Sequence, residues 1–195
     1  MISYWFVFVA MAVRLLSGAR YIFEIFQKGV KPNPITWFCW TLTSMVAAFA
    51  QWKAGVGIQA LMTFTLGVGP LAVFVISILK DRDATHFTKS NIACGLLAIV
   101  GIVLWQITSD PVLAIVFCIL ADIFGAIPTI VKARKVPGSE PALPYFLTMV
   151  SMVITLLTIK TWTIADAAFP IYIFCINAVI FSFARHNPGQ CKIRE

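Results

Sequence analysis

Residues 125–160 read GAIPTIVKARKVPGSEPALPYFLTMVSMVITLLTIK, and residues 18–53 read GARYIFEIFQKGVKPNPITWFCWTLTSMVAAFAQWK. The two stretches align without gaps at an offset of 107. The identical pairs are Gly18/Gly125, Ala19/Ala126, Lys28/Lys135, Pro34/Pro141, Thr41/Thr148, Ser44/Ser151, Met45/Met152, Val46/Val153 and Lys53/Lys160. Identity alone is weak in apolar sequence. The agreement of apolar boundaries, loop charges and prolines is what makes this an internal repeat, and internal repeats are a mark of transporter folds.

Outward from this repeat the chain divides into seven apolar runs: 3–26, 35–52, 56–79, 91–108, 111–131, 142–159 and 163–184. Each is near the ~20 residues a helix needs to cross the hydrocarbon of a bilayer. The 195 residues are 60% hydrophobic and 12% charged, against about 25% charged in a soluble domain. One small core cannot bury that much apolar surface, so lipid is expected to be its solvent. Helices follow, because open strands in lipid leave backbone groups unpaired and a small barrel alternates over segments of about 10 residues. The separators are short and polar, and Asp110-Pro111 reads as a helix start with proline in the first turn.

The net charge of +7 does not point to nucleic acid, because the charges cluster between apolar runs. Eleven Lys and Arg fall on one side (Lys28, Lys31, Lys80, Arg82, Lys89, Lys132, Arg134, Lys135, Arg185, Lys192, Arg194), two on the other (Lys53, Lys160) and two inside the first run (Arg14, Arg20). The positive-inside rule puts the eleven in the cytoplasm, and seven helices then place the N-terminus outside and the C-terminus inside. The expected location is a cell membrane of the bacterial inner-membrane kind.

The repeat accounts for the odd number of runs. Runs one to three form one unit (1–89), run four is a linker helix (90–110), and runs five to seven form the second unit (111–195). Because three is odd, the linker returns the chain to its starting side and both units point the same way. The expected fold is an all-α membrane protein in which two parallel three-helix repeats are related about the membrane normal.

This 3+1+3 arrangement resembles the SWEET sugar transporters and the wider PQ-loop superfamily. Gly125-Ala126-Ile127-Pro128-Thr129, with Lys132 and the Pro137-Gly138-Ser139-Glu140 loop, resembles the family's Pro-Gln segment and the loop after it. Pro34-Ile35-Thr36-Trp37 resembles the start of its second helix. Thr129 stands where the family has Gln, and Tyr21-Ile22 where repeat one would carry Pro-Gln. The resemblance implies a transporter fold. It also implies that Asn177 holds a sugar and that prolines such as Pro70 and Pro128 act as hinges for alternating access. Nicotinamide riboside transporters share a similar plan, which keeps a vitamin-like solute open.

Arg14 and Asp122 are the most informative residues. Both lie near the middle of apolar runs, and the repeat maps Asp122 onto Leu15, so the two charges share a depth. A charge at the bilayer centre costs at least ~2.5 kcal/mol on insertion scales, so both are expected to face the interior as a pair. That pair either binds solute or locks the halves together. Arg20 and Glu24, at i, i+4, read as a local ion pair. Trp37 and Trp40 read first as interfacial tryptophans, with Trp40, a turn deeper, the candidate for stacking on a solute ring. Thr41/Ser44 and Thr148/Ser151 recur in both repeats on one face, suited equally to helix packing and to a solute pathway. Asn177 supplies a donor and an acceptor in the last run, while its repeat position in run three is Pro70, beside Gly69. Pro70 and Pro128 each open a backbone carbonyl and permit a kink.

The candidate solute-binding set is thus Arg14, Trp40, Ser44, Asp122, Tyr145, Ser151 and Asn177, with Pro70 and Pro128 as hinges. The five cysteines (Cys39, Cys94, Cys118, Cys175, Cys191) show no paired spacing and read as reduced packing residues. No cofactor, metal set or catalytic motif appears: the two histidines, His86 and His186, lie in polar separators, and no run carries Gly-x-Ser-x-Gly. The expected partners are the lipid bilayer and a small polar solute, sugar-like or vitamin-like, with homo-oligomerisation left open. A non-transporting receptor or sorting protein on the same fold is the alternative.

Overall fold

The structure, a computed structural model, describes residues 2–80, 92–93, 96, 100, 103, 107–108, 110–136 and 138–185. Six helices are delineated among them: α1 (Phe6–Gln27), α2 (Pro34–Lys53), α3 (Gln59–Lys80), α4 (Pro111–Lys135), α5 (Ala142–Thr158) and α6 (Ile164–Ala184). The expected linker helix over 91–108 lies largely outside the described residues. So do Cys94, Cys191, both histidines and most of the polar tail.

The helix starts follow local chemistry. Asn33 caps α2 by accepting from the backbone N–H of Ile35 and Thr36, with Pro34 at the first helical position. Asp110 does the same for α4 through Val112, ahead of Pro111. Each cap satisfies donors that a helix start leaves without an intrahelical partner. The α2–α3 turn needs left-handed backbone, and glycine supplies it at Gly55 (φ +78°) and Gly57 (φ +75°). One boundary differs from expectation. α4 runs past the apolar stretch to Lys135, because Lys132, Arg134 and Lys135 suit the negative end of the helix dipole although they end the hydrophobic signal.

α1, α3, α4 and α6 are each long and apolar enough to cross a membrane. Such a set of helices is the make-up of a multi-pass membrane protein. α5 is apolar but has only 17 residues. The surface is correspondingly inverted relative to a soluble bundle. Leu16 is 62% exposed and Leu79 71%, whereas Arg14 is 6% and Asp122 1% exposed. Apolar side chains face outward, where lipid contact is favourable, and the polar groups turn inward.

The helices pack in a fixed neighbour pattern. α3 lies against both α1 and α2, and α6 lies against both α4 and α5. α1 also packs on α5, and α2 on α4. Two apolar clusters fill the interior at different heights. One gathers Val7, Ala10, Ala47, Ala50, Met62, Ile115, Met152 and Phe169. The other gathers Tyr21, Ile25, Trp37, Val73, Tyr145 and Ile180. Along α1 the order is Val7 and Ala10, then Arg14 and Ser17, then Tyr21 and Ile25, so a polar layer separates the two clusters.

Candidate functional site: a cavity with two buried charges

The polar layer surrounds a cavity of about 50 Å³. α1 contributes Arg14, Ser17, Gly18 and Tyr21, and α2 contributes Trp37, Trp40 and Ser44. α3 adds Leu66 and Pro70, α4 adds Asp122, and α5 adds Pro144, Tyr145 and Thr148. Ile173, Ile176 and Asn177 of α6 complete the wall. All six helices thus reach one site. Of the seven expected binding residues, six line it.

Ser151 is the exception. It is fully buried and donates to the Thr148 carbonyl at 2.7 Å, one turn away from the wall. Thr148, three residues earlier, lines the wall instead. Its hydroxyl lies 3.0 Å from that of Ser17, which donates in turn to the Pro144 carbonyl at 2.7 Å. Ser151 is therefore a packing residue of α5. Of the two prolines expected as hinges, Pro70 lines the cavity, while Pro128 sits half-buried within α4 off the wall.

Arg14 and Asp122 share the cavity but do not pair, which corrects the expected ion pair. Asp122 Oδ1 accepts from Thr43 Oγ at 2.6 Å and Oδ2 from the Tyr172 hydroxyl at 2.7 Å. The carboxylate therefore ties α4 to α2 and α6. Among the described residues Arg14 has no ion-pair partner. Its one hydrogen bond runs from Nη2 to the Leu66 carbonyl at 3.3 Å. Pro70 makes that carbonyl free. Four residues after Leu66, it has no N–H to return to the helix ladder. Gly69 makes room for the guanidinium: a Cβ there would come within 3.1 Å of both Nη atoms. The Gly69-Pro70 pair is thus a seat for Arg14. At the repeat-related position of α6, Asn177 Nδ2 donates to the Ile173 carbonyl, also four residues back, at 2.7 Å.

Trp37 is a second correction. It is buried, not interfacial, and its ring packs 4.4 Å from Tyr21 and 5.0 Å from Trp40, centroid to centroid. Trp40 is half-buried, and its indole N–H is buried without a partner. The expected local pair is present, with Arg20 and Glu24 2.6 Å apart and Lys28 joining Glu24 at 2.9 Å.

One cluster was not visible in the sequence. Glu140, 3% exposed, turns inward from the α4–α5 loop. Its Oε2 accepts from the hydroxyls of Tyr21 and Tyr145, each at 2.8 Å. Its Oε1 accepts from Lys132 Nζ at 2.8 Å, and that ammonium also donates to the Lys31 carbonyl at 2.7 Å. Gly138, at φ +80°, allows the loop to make this turn. One carboxylate thereby fastens α1, α4, α5 and the α1–α2 loop at one end of the cavity. At the other end the larger apolar cluster intervenes. The chain matches no family model, no curated protein and no solved structure.

Proposed function

We propose that this protein is a seven-helix membrane transporter that moves a small polar solute, sugar-like or vitamin-like, by alternating access through the cavity between two three-helix units. The observation that carries the reading is a mid-depth cavity reached by all six delineated helices and lined by two buried charges that do not pair with each other. Charges buried at membrane depth are expensive, and those left unspent on structure mark solute or ion pathways.

The parallel repeat and the SWEET-like 3+1+3 plan belong to the same proposal. Their support is the neighbour pattern, which is unchanged when α1, α2 and α3 are exchanged for α4, α5 and α6. The linker helix expected over 91–108, largely outside the described residues, would complete the plan. In this scheme the Glu140 cluster is the gate on the cytoplasmic side, and the apolar cluster around Phe169 and Met62 closes the external side. Opening one while the other holds exposes Arg14, Asp122, Ser44 and Asn177 to alternate sides, with Pro70 the bending point.

The test is uptake by purified protein in liposomes against sugars, nucleosides and organic acids. Saturable uptake with counterflow is expected for at least one class, and Asp122→Asn should impair it. Binding without flux across the whole panel would instead establish a receptor. Orientation has its own check, with single cysteines in a background lacking native thiols. An impermeant reagent should reach Lys160→Cys in intact cells and Ser139→Cys only after permeabilisation, and the opposite pattern would invert the topology.

A further inference from the structure

We propose that the solute held in this cavity is a small organic monocarboxylate whose carboxylate docks on Arg14. The passage of that solute rests on the transport reading, whereas its binding does not. The argument is an inventory of the polar groups in the cavity wall.

Each oxygen of Asp122 accepts one hydrogen bond, from Thr43 and from Tyr172. The hydroxyls of Ser17 and Thr148 are engaged with each other and with Pro144. Both tyrosine hydroxyls are spent on Glu140; Asn177 Nδ2 donates to Ile173, which leaves its Oδ1 as an acceptor, and the Ser44 hydroxyl also lines the wall. Two buried polar atoms of the wall have no partner among the described residues: Arg14 Nε and Trp40 Nε1. Both are donors, and neither can accept. The guanidinium offers five N–H groups, and its one hydrogen bond leaves most of them unspent.

The buried unpartnered atoms of the wall are donors and fit an acceptor, and a guanidinium with no ion-pair partner among the described residues suits an anion. The planar fork of arginine matches the two oxygens of a carboxylate. A neutral sugar fits less well, because it brings no counter-charge to Arg14. The volume of about 50 Å³ is well below the ~150 Å³ of an empty cavity that admits benzene, so the organic part is short. Leu66, Pro70, Ile173 and Ile176 provide an apolar wall for it. The two hydroxyls that donate to Asp122 screen its charge from the incoming anion.

Calorimetric titration of the detergent-purified full chain tests this, with propionate, its neutral analogue propionamide, and nitrate as probes. Propionate should bind at least about tenfold more tightly than propionamide, since an ion-assisted hydrogen bond supplies that much. The same margin should vanish in Arg14→Met, with folding verified by thermal melting. Equal binding of propionate and propionamide overturns the proposal. So does no binding of propionate at all, or binding undiminished in Arg14→Met. Nitrate binding as tightly as propionate also overturns it, because the site is then one for inorganic anions. Sugar uptake without propionate binding removes the carboxylate assignment and leaves the transporter. Arg14-dependent propionate binding without flux of any solute does the reverse.

Discussion

Replacing Arg14 by methionine is expected to raise the stability of the solubilised protein by about 1–3 kcal/mol while abolishing solute uptake. Removing a buried charge destabilises when it strands a partner, and replacing a poorly compensated charge by an apolar group of similar size stabilises. Arg14 belongs to the second case. It is buried, makes a single 3.3 Å hydrogen bond and has no ion-pair partner among the described residues. Methionine is unbranched and adapts to the space the guanidinium leaves. The Leu66 carbonyl loses its donor, a penalty of about 1 kcal/mol that sits below the several kcal/mol released from the desolvated charge. Equilibrium unfolding in mixed micelles measures the change. A clear loss of stability would reveal a compensating anion and restore the ion-pair reading.

Glu140→Ala should act in the opposite direction, lowering stability by about 2–5 kcal/mol. The substitution strands the hydroxyls of two buried tyrosines, at about 1–3 kcal/mol each for an unsatisfied group. Lys132 is partly exposed and keeps the Lys31 carbonyl, so it suffers less. Glu140→Gln retains an acceptor and should cost only about 1–2 kcal/mol, mostly through the lost charge on the Lys132 side. Because the carboxylate ties three helices, its loss should also open the cavity. A cysteine replacing Ser44 should then react faster with a maleimide. Unchanged melting and unchanged labelling would show that the cluster fastens nothing.

Comparison of particular residues shows what the sequence could and could not convey. Helix positions were legible because hydropathy and caps such as Asp110-Pro111 are local properties. The depth of Arg14 and Asp122 was legible for the same reason, since depth is counted along the chain. Their failure to pair was not, because pairing depends on rotation about each helix axis and on which hydroxyls lie nearby. Thr43 and Tyr172 reach Asp122 from other helices, and no repeat pair marks either of them. Trp37 was misplaced by its nearness to a helix end, yet a signal was present. Trp37, Thr41 and Ser44 share one face at i, i+4 and i+7, and a face bearing two hydroxyls seldom turns to lipid. Glu140 lies in a polar loop where carboxylates ordinarily meet solvent. Only the opposite charge of Lys132 across the same turn hinted at its place.

Every rung of a helix ladder is normally closed by that helix's own backbone. α3 is one rung short at Leu66 because of Pro70, and it borrows the missing rung from α1 through Arg14. At the position of α6 that faces the cavity, Asn177 adds its side-chain amide to a carbonyl that its own N–H can still reach. The gap in the α3 ladder and the position of the positive charge therefore share one bond. Pro70→Ala, which returns the rung to α3, should slow counterflow. In the proposed transporter, an anion that draws Arg14 away from Leu66 would also unlatch α3 at the rung Pro70 leaves open, so the arrival of the cargo and the bending of the wall would be a single mechanical event.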